Sequence, residues 1–271
     1  MARVAVVTGA NKGIGFAIVR RLCKDFDGDV ILTARDADRG KAACKELESE
    51  GLRPRFHQLD LDDVASVSQL KLFLEKTYGG LDVLVNNAGI AYKSKSTAPE
   101  SEQAEVTIRV NYFGTLNVCK ALLPIINPHG RVVNLGSFVG KLSILQPHLQ
   151  KKFASDSLTE DELTGLMNKF VQDVKDNRYG EEGWPVPFKG YGMSKLSITA
   201  LTKVHARQMA TCGKEDILVN SCCPGWVKTD MSSHSGPLSP DEGAETPVYC
   251  ALLPPGSPTG EFFRKKAVAE W

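Results

Sequence analysis

Short apolar runs alternate with longer amphipathic stretches through the first half of the chain. Residues 4–8, Val4-Ala5-Val6-Val7-Thr8, are apolar and too few for a helix with a buried stripe, so they predict a strand. Residues 15–24 follow with Phe16, Val19 and Leu22 at helical spacing. The pattern repeats: a strand over 30–32 and a charged helix over about 37–50, then a strand over 55–59 and a helix over 64–76. A fourth strand covers 81–86, and a long helix runs from about residue 102 to near Pro124, whose ring cannot continue a helix. A fifth strand covers 131–135. Such βα repetition predicts an α/β fold, a doubly wound parallel sheet of Rossmann-like type with right-handed crossovers and helices on both faces.

The middle of the chain breaks this alternation. No strand pattern occurs between 140 and 184. Ser157-Leu158-Thr159-Glu160-Asp161-Glu162-Leu163 has the form of a capped helix start, a hydroxyl residue followed by acids. Leu166, Met167, Phe170 and Val174 carry the helical spacing onward. The segment 141–183 is therefore read as a helical insertion within a single domain, 1–271, a length that one large α/β unit accommodates. Beyond it come a helix over 191–209, a sixth strand over 217–222, a short helix over 241–253 and a short last strand over 260–263. Pro224, Pro237 and Pro240 mark an irregular loop at the C-terminal edge of the sheet.

Composition narrows the classes. Hydrophobic residues at 42% and charged residues at 24% suit a soluble globular chain, and a net charge of +1 argues against a nucleic-acid partner. No apolar run is long enough to predict a membrane span. Strand-like residues begin at position 3, leaving no room for a leader peptide, and the last residues carry no prenylation or peroxisomal signal. Seven cysteines with no CxxC pair fit neither a disulfide framework nor a zinc site, so no metal is expected. A reducing, cytoplasmic compartment follows. In the vicinal pair Cys222-Cys223, strand alternation sends one thiol to the core and the other toward a site; nothing marks either as a nucleophile.

The chemistry starts in the loop after the first strand: Thr8-Gly9-Ala10-Asn11-Lys12-Gly13-Ile14-Gly15. Glycines between a strand and a helix allow close backbone approach to a phosphate at the helix N-terminus, so Gly9, Asn11, Lys12, Gly13, Ile14 and Gly15 are candidate dinucleotide contacts. An acid at the end of the second strand would favour NAD; here stands Arg35, with Lys12 and Arg39 able to reach the same 2′-phosphate, so NADPH/NADP+ is expected. Asp36 has a separate use as a helix cap. Asp60 is a candidate acceptor for the adenine amine, or else a cap. Tyr191 and Lys195, four apart, share a helix face. A phenol is a poor acid near neutrality, and an ammonium one turn away favours its phenolate. With a serine hydroxyl, Ser137, to hold a carbonyl oxygen, these parts read as machinery that delivers hydride to a carbonyl.

Taken in order, Thr8-Gly9-x-x-x-Gly13-x-Gly15, Asn86-Asn87-Ala88-Gly89, Asn111, Ser137, Tyr191-x-x-x-Lys195 and Pro224-Gly225 resemble the short-chain dehydrogenase/reductases over the whole chain. Glu182-Gly183-Trp184, Cys222-Cys223-Pro224-Gly225-Trp226-Val227 and Glu242-Gly243-Ala244-Glu245-Thr246-Pro247 carry a narrower resemblance, to the vertebrate-type monomeric NADPH-dependent carbonyl reductases. The resemblance implies that Tyr191 donates the proton, that Lys195 holds the nicotinamide ribose and lowers the phenol pKa, and that Ser137 orients the carbonyl. It also implies that Asn111 holds a water linking Lys195 to solvent, and that Asn87 and the segment from Val227 to Thr229 line the cofactor. Gly136 departs from the serine that many members carry there, while the hydroxyl of Ser137 is retained.

The expected substrates are small carbonyl compounds: aldehydes, ketones and quinones, with steroid or prostanoid carbonyls included. Tyr92, Lys93, Gln103, Ser137, Trp226 and Met231 are the candidate substrate contacts, with Lys93 and Lys95 lending the mouth positive charge. A dedicated steroid or pterin ketone reductase is an alternative. A non-catalytic NADPH sensor is another, and it loses ground because Tyr191, Lys195, Ser137 and Asn111 are all present. A serine hydrolase is disfavoured, since none of the five histidines accompanies Ser137 in a Gly-x-Ser-x-Gly elbow. The interval from Ser137 to Tyr191 is longer than is usual in the family, where the Tyr–Lys helix packs on a second subunit. Leu163, Leu166, Met167 and Phe170 of the insertion are expected to cover that helix instead, leaving a monomer.

Overall fold

A computed structural model describes residues 2–93 and 95–271. Its first five strands are β1 (Val4–Val7), β2 (Asp29–Ala34), β3 (Arg55–Gln58), β4 (Leu81–Asn86) and β5 (Ile126–Leu135), followed by β6 (Leu218–Cys223), β7 (Phe262–Arg264) and β8 (Ala267–Val268). They form one sheet in the order β3-β2-β1-β4-β5-β6-β7-β8, parallel throughout except for the antiparallel β7–β8 pair. The order reverses between β1 and β4, and ligands of open α/β sheets bind at such a reversal, beyond the carboxyl ends of the strands. This bears out the doubly wound reading. The antiparallel β8, two residues long, has no counterpart in the periodicity.

Strand alternation makes the two cores. Along β1, Ala5 and Val7 face one side, with Leu22 of α1 (Gly13–Asp25), Leu47 of α2 (Ala37–Ser49) and Val248 of α9 (Pro240–Ala251). Val4 and Val6 face the other, with Leu70 and Leu74 of α3 (Val64–Tyr78) and Val118 and Leu122 of α5 (Gly114–Leu122). Pro240 therefore opens a helix, with Ser239 and Glu242 closing a reciprocal capping box, and does not extend the loop.

The expected insertion is helical. Helices α6 (Pro147–Phe153) and α7 (Glu160–Lys175) lie between β5 and α8 (Gly190–Ala210). Thr159 caps α7, its Oγ1 accepting from Glu162 N at 3.2 Å while Glu162 Oε2 accepts from Thr159 N at 2.8 Å. Leu163, Met167, Phe170 and Val174 are buried with Met193, Leu196, Leu201 and Val204 of α8, with Leu166 half-buried beside them. They also pack on Ala104 and Ile108 of α4 (Glu100–Ile108), so the insertion covers two helices where the sequence suggested one. As a result α8 is buried almost all round, the sheet on one side and the insertion on the other.

Candidate active site

Thr8, fully buried at the end of β1, stitches the glycine loop to the segment after β4: its Oγ1 accepts from Asn87 N and Ala88 N, both at 3.0 Å. Asn87 Nδ2 donates back to Thr8 O at 2.9 Å and to Gly9 O at 3.0 Å. The approach is close enough to require glycine. A Cβ on Gly15 would lie 2.4 Å from Asn87 Nδ2, and Gly9 and Gly13 each have φ of +61°. Lys12 precedes α1 without making a side-chain cap, so the first-turn N–H groups are left for another acceptor. Glycine geometry, an uncapped helix start and an exposed Arg35 after β2 together fit a dinucleotide with a 2′-phosphate.

The other cofactor candidates vary. Lys12 Nζ lies 2.5 Å from Asp230 Oδ2, so its charge is already engaged. Arg39 is exposed and 3.7 Å from Asp36, which caps α2 as expected by accepting from Arg39 N. Asp60 is not a helix cap: Asp63 caps α3, while Asp60 Oδ1 accepts from Asp62 N at 3.1 Å. Val227 turns its buried side chain toward Gly243 of α9, and its carbonyl accepts from Ser232 Oγ at 2.7 Å. Thr229 Cγ2 stands 3.3 Å from where a Gly13 Cβ would be, so it does adjoin the glycine loop.

Asn111 sits in a π turn (Arg109–Phe113) between α4 and α5, a local widening of the helix common at functional sites. It is buried, with Oδ1 accepting from Ile90 N at 2.8 Å and Nδ2 donating to Ile90 O and to Ser194 Oγ, both at 2.9 Å. Its side chain thus fastens the segment after β4 to α8. A Cβ on Gly89 would lie 3.1 Å from Asn111 Oδ1 and 3.7 Å from Lys195 Nζ, so amide and ammonium flank the same glycine.

The turn carrying Ser137 is pressed onto the first turns of α8. A Cβ on Gly140 would meet Leu196 N at 2.5 Å, and one on Gly192 would meet Val139 O at 3.1 Å. Small residues at both contacts bring Ser137 to the Tyr191 end of the helix. Lys195 Nζ is buried, donates to Leu135 O at 2.6 Å, and lies 5.7 Å from the centre of the Tyr191 ring. Burial lowers the Lys195 pKa from 10.5 to about 8. Burial also pushes the Tyr191 phenol up, with the neighbouring Cys223 thiol adding to the rise. The depressed phenol pKa expected from the ammonium alone is thus outweighed here by loss of solvent. Cys222 is buried in the core, and Cys223 Sγ accepts from Phe138 N at 3.3 Å and Gly225 N at 3.4 Å, the split predicted from alternation. No histidine bonds Ser137 among the described residues; its Oγ accepts from Val139 N at 3.4 Å.

Of the substrate candidates, Trp226 and Met231 are exposed apolar side chains, 54% and 41% accessible. Lys93 bridges to the carbonyls of Asp230 and Met231, and Tyr92 OH donates to Glu102. Gln103 turns away, its Nε2 donating to Ala98 O at 2.8 Å. Phe138 and Val139, absent from the sequence candidates, are exposed apolar residues beside Ser137; their position after the serine was the available signal. Hollows between α1 and α9 and between α5 and α8 contain neither Ser137, Tyr191 nor Lys195, while Tyr92 and Lys93 line a separate one in the segment after β4.

The family model described as short chain dehydrogenase matches residues 3–157. The chain belongs to the short-chain dehydrogenase family. Within this family it is 56% identical over 273 residues to carbonyl reductase (NADPH) 1 of Homo sapiens, covering 99% of this chain and 98% of the relative. It is also 56% identical over 274 residues to carbonyl reductase (NADPH) 3 of Mus musculus, with the same coverage. Among solved structures, salutaridine reductase from Papaver somniferum superposes with a TM-score of 0.86 at 33% identity, covering 96% of this chain and 99% of that one. The menthone neomenthol reductase from Mentha piperita gives 0.82 at 32%, covering 97% and 98%.

Proposed function

We propose that this chain is an NADPH-dependent carbonyl reductase that converts aldehydes, ketones and quinones to alcohols, with steroid or prostanoid carbonyls within its range. The observation that carries the reading is the end of α8, where Tyr191 and a buried Lys195 meet the turn bearing Ser137. Near-full-length likeness to the two carbonyl reductases supports it. When bound, NADPH supplies the hydride. Gly9, Asn11, Gly13, Ile14 and Gly15 hold its phosphates, Lys12, Arg35 and Arg39 take the 2′-phosphate, Asp60 meets the adenine, and Asn87, Val227 and Thr229 line the rest.

Ser137 orients the substrate carbonyl and Tyr191 gives its oxygen a proton. Lys195 contacts the nicotinamide ribose and keeps positive charge near the phenol, while Asn111 holds the water that replenishes its proton. Phe138, Val139, Trp226 and Met231 wall the mouth with apolar surface that suits many carbonyl compounds. The test is loss of NADPH absorbance with a simple quinone and a panel of ketones. Arg35→Ala should cut the preference for NADPH over NADH by about 1.5–3 kcal/mol, since only NADPH carries the extra phosphate. Binding of NADPH with no turnover on any carbonyl would mark a sensor instead.

The protein acts as a monomer in the cytoplasm. The insertion and Trp271 bury the outer face of α8, and all seven cysteines are unpaired. Sedimentation equilibrium at micromolar concentrations should return a mass near 29.5 kDa, and a mass near twice that would overturn the reading.

A further inference from the structure

Asp230, in the loop after β6, joins three loops that border the cofactor cleft. Its Oδ2 lies 2.5 Å from Lys12 Nζ of the glycine loop, and its Oδ1 lies 3.0 Å from His234 Nε2. Its main-chain carbonyl accepts from Lys93 Nζ, in the segment after β4. The surrounding turn is built to hold it. Ser232 Oγ accepts from Thr229 N at 3.1 Å and donates to Val227 O at 2.7 Å, and His234 N donates to Thr229 O at 2.8 Å. The Lys12 ammonium beside it holds the Asp230 carboxyl below its usual range.

This ion pair is not a strut of the core. Both side chains are more than half exposed, at 61% for Lys12 and 58% for Asp230, where such pairs contribute little to stability and exchange readily. Lys12 is also one of the cations assigned above to the 2′-phosphate, so one ammonium faces two anions. We infer that Asp230 is a positioning residue that holds Lys12 over the glycine loop and competes with the 2′-phosphate for it, so that cofactor capture exchanges one ion pair for another. The inference rests on Lys12 reading the 2′-phosphate. Its consequence is specific: Asp230 weakens 2′-phosphorylated ligands and leaves others untouched, and a ligand without that phosphate leaves the Lys12 link between the two loops intact.

The test is calorimetric titration of the full chain with 2′,5′-ADP and with 5′-ADP, neither of which needs turnover. Asp230→Asn should bind 2′,5′-ADP about two- to fivefold more tightly, with 5′-ADP unchanged. The gain should fade near 1 M salt, where charges are screened within about 3 Å. Asp230→Glu should return the affinity toward wild type. In a Lys12→Ala background, Asp230→Asn should have no effect, because the rivalry has lost its object. Lys12→Ala alone should weaken 2′,5′-ADP and not 5′-ADP; equal affinities there would overturn the Lys12 assignment and the inference with it. If that control holds but Asp230→Asn weakens both ligands, or tightens both alike, Asp230 is merely structural and the inference fails.

Discussion

Tyr191→Phe should bind NADPH within about twofold of wild type and lose about a hundred- to ten-thousandfold in turnover, the range that a positioned proton donor supplies. The ring remains to pack against α8 and its neighbours. The hydroxyl makes no hydrogen bond among the described residues, so its removal should leave the fold unharmed. Cofactor titration by fluorescence, with steady-state rates on an aldehyde, a ketone and a quinone, separates binding from chemistry. Near wild-type turnover on all three would remove Tyr191 from its role.

Lys195→Met should abolish most activity while making the protein relatively more stable at neutral pH than at alkaline pH. Burial lowers the lysine from 10.5 in the unfolded chain to about 8 in the folded one. The folded state therefore binds the proton less tightly, and the penalty is complete below about pH 8. It shrinks as pH rises toward 10.5, where the unfolded chain gives up its proton as well. The interval corresponds to about 3 kcal/mol. Against this, Leu135 O loses its donor, at a cost of about 1–3 kcal/mol that does not vary with pH. Urea unfolding at several pH values should show wild type gaining on the variant between pH 8 and 10.5; a constant difference would contradict a depressed lysine. By the same titration, wild-type reductive kcat/KM should decline as pH passes about 8.

Much of the fold is legible where local pattern and structure coincide. Apolar runs mark β1, β2, β4 and β6 and the buried end of β5, because a parallel sheet covered on both faces makes its inner strands apolar. Edge strand β3 (Arg55–Gln58), by contrast, is largely polar and partly exposed. The capping box at Thr159 and Glu162 announced α7 by residue type alone. The equivalent box at Ser239 and Glu242 fits the helix expected over 241–253, and only Pro240, expected in the loop, belongs to its first turn instead. Other features had no local signal. The π turn at Asn111 interrupts a run whose residues read as one continuous helix, and β8 is too short to have a period. Gln103 bends back to Ala98 through a bond that spacing cannot foresee, and Lys12 meets Asp230 across 218 positions of sequence because the loop after β6 reaches past the ends of β5 and β4 to the glycine loop.

The enclosure of α8 separates two kinds of adaptability. Its backbone can open only when the sheet and the insertion give way together, so the Tyr191–Lys195 spacing is guarded by nearly the whole free energy of folding. Trp226, Met231, Phe138 and Val139 lie on exposed loops whose rearrangement disturbs little buried surface. Changes in those walls can redirect the choice of carbonyl compound while the proton-delivery geometry stays fixed. An enzyme arranged this way can drift in diet without relearning its chemistry.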